Sequence, residues 1–147
     1  DLAGTPVVRR LDAQVWHQPT APGKNKPGTT WPDECRGRQL SARWTGFIEP
    51  AVGDEYSFLV YVGRDGKNIP EKVRLTIDGR VVVDAWDERP EWRSRLRSLP
   101  VALTAGRRVP VILEYVRTGP GDLHLSWESP NVGVAHLPTA SLYPEAR

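Results

Sequence analysis

Short runs in which apolar and polar side chains alternate dominate this chain, and they have the period of β-strands. Leu40, Ala42 and Trp44 alternate with Ser41, Arg43 and Thr45, which predicts a half-buried strand ending at Gly46. Residues 56–62 are apolar on both faces, as a central strand covered on two sides would be. Val73, Leu75 and Ile77 alternate with Arg74, Thr76 and Asp78, and Asp78-Gly79 then separates this run from Val81, Val82 and Val83. Asp-Gly tolerates the positive φ that a type I′ turn demands, so a hairpin is predicted here. A further strand is expected over 109–116, entered through the turn Ala105-Gly106, and the last has Leu123, Leu125 and Trp127 alternating with His124, Ser126 and Glu128. Before Gln39 the pattern differs. Residues 19–28 are so rich in Pro and Gly that no regular element fits, and 17–38 is expected to be a loop-rich insertion.

Composition narrows the class. The 13 glycines and 14 prolines in 147 residues exclude long helices and leave strand-length segments between turns. An all-β sandwich or barrel follows, as a single domain over 1–147, because no repeat, heptad or linker divides the chain. A chain of this size buries roughly 68–70% of its unfolded surface, enough for a core without metals or disulfides. Its longest purely apolar run, 58–62, is far short of the roughly 18 residues a membrane span needs, so no membrane insertion is expected. With no methionine and a start at Asp1, it is expected to be a piece of a longer protein. The lone Cys35 excludes an internal disulfide and a cysteine-rich zinc site. A net charge of +2 is too balanced to imply a polyanion, and neither a recognition helix nor an RNA-binding signature appears, so no nucleic-acid partner is expected.

Five segments carry a resemblance: LSARWTGFIEP at 40–50, DEYSF at 54–58, RLTIDGRVVVDAW at 74–86, LTAGRRVPVILEY at 103–115 and LHLSWESP at 123–130. In this order and spacing they resemble the protective-antigen fourteen-kilodalton domain family, found in bacterial toxin protective antigens, fungal flocculins and adhesins, and as an insert in some β-glucosidases. The resemblance implies an antiparallel, jelly-roll-like β-sandwich with long loops, placed in an extracellular, periplasmic or cell-surface protein. Residues 1–8 also look like family sequence, but the strand that usually precedes them is missing. Either the piece starts inside a domain or the sandwich closes in another way.

Sugar-binding members of that family hold a calcium ion between two adjacent aspartates in loops at one end of the sandwich, and sugar hydroxyls complete its oxygen shell. The chemistry is sensible, since Ca²⁺ takes six to eight oxygens and vicinal hydroxyls replace two waters. The matching loop here reads VGRDG at 62–66: Asp65 keeps the second acid and would be the metal ligand, while Arg64 stands in place of the first and opposes a dipositive ion. Asp84, followed by Ala85 where the family has asparagine, is expected close to Asp65 if the site exists. Aromatic stacking on a pyranose needs no metal, and Trp31 and Trp92, in predicted loops outside the matched segments, are the candidates for it. The ligand-binding set is therefore Asp65, Asp84, Trp31, Trp92 and Arg64. Trp44, Trp86 and Trp127 are assigned to the core. Arg93, Arg95 and Arg97 line one face of a short strand, with Leu96 and Leu99 available for the core. The arginines either grip an acidic polysaccharide or form a solvated face, and the neighbouring Asp87, Glu88 and Glu91 favour the latter.

Catalysis finds no foothold. His17, His124 and His136 are too scattered for a metal site, and no H-E-x-x-H, G-x-S-x-G or phosphate-loop pattern occurs. His124, Ser126 and Glu128 point side by side from one strand where a triad needs convergence, so His124 is read as solvent-facing. The expectation is a non-catalytic, lectin-like carbohydrate-binding module of a larger extracytoplasmic bacterial protein. Its partners would be a glycan or polysaccharide and neighbouring domains. The alternative is a structural or protein–protein interaction module with no glycan site.

Overall fold

The structure, a computed structural model, describes residues 2–18, 29–35, 39–62, 71–87, 95–118 and 122–146. Two sheets face each other across one core. The larger is built on β4 (Asp54–Val62) and β10 (Leu123–Ser129), antiparallel from Leu123 opposite Val62 to Glu128 opposite Ser57. The far side of β10 takes β1 (Trp16–Gln18) and then β11 (Gly133–His136). The far side of β4 likewise takes β7 (Arg95–Arg97) and β8 (Val101–Leu103). A short β2 (Thr29–Thr30) runs parallel to β1. The smaller sheet has the order β12 (Leu142–Tyr143), β3 (Gln39–Ile48), β9 (Val109–Thr118), β5 (Glu71–Ile77) and β6 (Arg80–Ala85), all antiparallel.

The alternations read from sequence are the inner faces of these sheets. Val73, Leu75 and Ile77 meet Leu123, Leu125, Trp127, Tyr56, Phe58 and Val60 in one buried cluster. Full burial of each such aliphatic or aromatic side chain stabilises by roughly 1.5–3 kcal/mol. The Asp78-Gly79 hairpin forms, with φ of 49° and 76°, the pair of positive values a type I′ turn needs.

The structure departs from the sequence reading in three places. First, β3 runs through Gly46 to Ile48, because a side chain at 46 would stand 2.8 Å from the Tyr143 carbonyl oxygen: glycine there lets β12 approach. Second, the supposed insertion at 17–38 is partly sheet. β1 includes His17 and Gln18, β2 follows, and a 3-10 turn spans Asp33–Cys35, while 19–28 and 36–38 lie outside the described residues. Third, Leu99 is exposed. Ser98 turns inward instead, its N–H donating to the Phe58 carbonyl at 2.9 Å and its Oγ accepting from the Phe58 N–H at 2.8 Å. Among the described residues no helix is long and apolar enough to cross a membrane.

Candidate functional site

Strand alternation sends Leu123, Leu125 and Trp127 into the core and leaves His124, Ser126 and Glu128 on the outer face of the larger sheet. Register then gives each a neighbour. His124 lies between Trp16 of β1 and Tyr61 of β4, and Tyr61 lies opposite Arg95 of β7, so Trp16, His124, Tyr61 and Arg95 form one row across four strands. The next row is His136, Ser126, Leu59 and Arg97. Together with Asp122, just before β10, the first row and His136, Ser126 and Leu59 of the second line an open cavity of about 410 Å³.

Its rings form a continuous strip. Trp16 stacks on His136 with centroids 3.8 Å apart and planes at 26°. His124 sits 4.8 Å from Trp16 and 5.1 Å from Tyr61. The Ser126 hydroxyl bonds His136 Nδ1 at 3.1 Å and fixes that ring. Two nitrogens of the strip, Trp16 Nε1 and His124 Nε2, are buried and have no hydrogen-bond partner among the described residues. Each such group costs about 1–3 kcal/mol until a partner arrives. Burial, helped by the nearby His136 and His17, pushes the His124 pKa down to about 4, and burial also lowers that of His136. Both imidazoles are therefore neutral near pH 7, each with one donor and one acceptor. Burial raises the Asp122 pKa against the opposing charge of Arg117. Flat rings beside a few convergent donors and acceptors suit a ligand with both C–H faces and hydroxyls.

The residues singled out from sequence fall elsewhere. Arg64, Asp65 and Trp92 lie outside the described residues. Trp31, expected at the surface, is only 5% exposed: its ring packs 4.7 Å from His17 of the larger sheet and 5.8 Å from Tyr115 of the smaller, bridging the layers. That position corrects its assignment as a contact residue, since its faces are covered by protein. Asp84 is exposed on β6, where its carboxylate accepts the Trp86 N–H at 3.2 Å and faces the Arg74 guanidinium at 3.4 Å. That cation opposes a calcium ion at Asp84, and among the described residues no cluster of three or more His, Cys, Asp or Glu could hold a metal. The described residues thus do not fit the ion.

Trp86 is not in the core. Ala85 takes the inward position, and Trp86 lies half-buried under Arg74 and Lys72, 5.1 and 5.7 Å from its ring. Arg97 is paired with Glu128, as a solvated face would have it, whereas Arg95 belongs to the cavity rim and Arg93 is outside the described residues. His124 is no lone solvent-facing histidine: it is half-buried among the rings, and two of the three scattered histidines meet, with His136 5.8 Å away. Trp16 and Tyr61 carry no signal in the sequence, and His136 enters there only as one of three histidines too scattered for a metal site. Nothing in one-dimensional spacing links 16, 61, 124 and 136; only the pairing of β1, β4 and β11 with β10 does.

The PA14 domain model matches residues 29–136. The chain is 30% identical over 119 residues to anti-sigma-I factor RsgI3 of Acetivibrio thermocellus, a match covering 80% of this chain and 17% of that protein. An anti-sigma factor domain-containing protein from Clostridium clariflavum superposes with a TM-score of 0.64 at 27% identity, covering 94% of this chain and 42% of that one. The PA14 sugar-binding domain from an RTX adhesin superposes with a TM-score of 0.55 over 81% of this chain and 58% of that one, and at 13% identity it shows a common fold alone. This chain spans less than half the length of the first two relatives. With most of the chain matched and two facing β-sheets enclosing one core, this protein belongs to the PA14 domain family.

Proposed function

We propose that this PA14 domain is a non-catalytic, carbohydrate-binding module of a larger extracytoplasmic protein, and that glycan seats on the outer face of the larger sheet. One observation carries the reading: the rings of Trp16, His124, Tyr61 and His136 line one open cavity as a strip, with Arg95 and Asp122 beside them. A sugar ring supplies both apolar C–H faces for the strip and hydroxyls for Arg95 and Asp122. A relative of the same fold is a sugar-binding domain, which supports the ligand class. Those bearing anti-sigma factor names are much longer than this chain, which supports an accessory role beside neighbouring domains.

The test is a glycan array probed with the wild-type chain, with and without chelator, and with Trp16→Ala. Binding is expected to survive chelation and to weaken roughly tenfold, about 1.4 kcal/mol, in the variant. An array silent for the folded wild type sinks the proposal in favour of a structural or protein-interaction module. Binding lost on chelation moves the site to a metal and away from this face.

A further inference from the structure

Building on the glycan reading above, we infer that this face takes a single, uncharged glycan chain laid across the strands rather than a terminal sugar held at the end loops. The row Trp16, His124, Tyr61, Arg95 crosses β1, β10, β4 and β7. Neighbouring strands lie about 4.8 Å apart, so the row extends over roughly 14 Å, longer than one pyranose ring. A terminal sugar would leave much of it uncovered; an extended chain covers it.

Charge selects against an acidic chain. Arg95 and Asp122 line the same cavity with opposite signs, and Arg97 in the neighbouring row is taken up by Glu128. A run of uronates needs a surplus of cations, and among the described residues of this face they are matched; hydroxyls use both signs, donating to Asp122 and accepting from Arg95. Ring planes along the row are tilted, 45° between Trp16 and His124 and 48° between Tyr61 and His124. Such a tilted, uneven platform meets a single chain better than the flat face of packed chains.

The experiment is isothermal titration of the full chain with cello-, xylo- and manno-oligosaccharides, each from monosaccharide to hexasaccharide, and with oligogalacturonides of the same lengths, with and without chelator. A neutral series is expected to show no measurable monosaccharide binding, affinity rising with length to a plateau near the tri- or tetrasaccharide, and no effect of chelator. The uronate series should bind at least roughly tenfold more weakly. Tyr61→Ala should lower affinity for the long members, and Trp16→Phe, which keeps a ring but removes the Nε1 donor, should lower it less than Trp16→Ala. Circular dichroism confirms that each variant is folded.

A plateau already at the monosaccharide, a preference for uronates, loss on chelation, or array binding with all neutral series silent overturns this inference and leaves the glycan reading standing. Silence on array and titration alike removes both. Dimerisation in sedimentation that Trp16→Ala abolishes assigns the face to a second copy of the chain, which also overturns the inference.

Discussion

His124 illustrates what a residue type does and does not reveal. Its place on the polar side of its strand is plain from the alternation around it, but its environment is made by Trp16, Tyr61 and His136 from three other strands, with Asp122 and Arg95 at the rim. Those neighbours have a measurable consequence. The folded His124 takes up its proton near pH 4, while an unperturbed histidine does so near 6.5. Between those values the unfolded chain binds more protons, so the stability that this site holds above pH 6.5 is lost progressively as the pH falls toward 4. His136, shifted the same way by burial, adds to the loss. Asp12 does not enter that window: burial raises its pKa, but hydrogen bonds from His17 and Trp44 and the charges of His17 and Arg10 outweigh it, leaving it below 3.8. Thermal melts across the window should show a falling midpoint, with a shallower slope in His124→Phe, which keeps a ring and removes the titrating group. A slope unchanged by that substitution would mean His124 is protonated normally in the fold. Trp31 is a second case: its sequence neighbourhood places it in a surface loop, yet it is buried between the sheets, and Trp16 lines the outer cavity.

Elements were the most legible scale. The inner faces of β5 and β10, the two-sided burial of β4 and the Asp78-Gly79 hairpin all follow from local pattern and turn chemistry, which depend on residues close in sequence. The errors are at boundaries set by distant chain. Gly46 has the look of a strand end because glycine weakens strands, but it serves the approach of β12 from almost a hundred residues away. Gly46→Ala, whose Cβ would meet the backbone oxygen of Tyr143 at 2.8 Å, is expected to destabilise by about 1–3 kcal/mol as β12 is pushed off β3. Gly79→Ala meets nothing within 4 Å and should cost only the strain of its positive φ, about 1–2 kcal/mol. Urea denaturation midpoints of the two variants check this, and hydrogen exchange should show extra opening at β12 in the first alone.

The two sheets stand or fall together as one molecule. Phe58 is fully buried at the centre of the larger sheet, and Phe58→Ala should cost about 3–5 kcal/mol, a large part of a domain's ordinary 5–15 kcal/mol. A loss below 1 kcal/mol in a denaturant titration would contradict the shared core. That core was written into the sequence: alternation, breakers and turn residues are local properties, and they determined the strand content and the inward faces, while the choice of sandwich over barrel came from the family resemblance. The candidate site was not. Trp16, Tyr61, His124 and His136 are brought side by side only by which strands pair and in what register, a choice made by long-range backbone hydrogen bonding and interlayer packing that no local pattern encodes. The tertiary structure alone therefore decided which rings face out together, and with them where a ligand can be held.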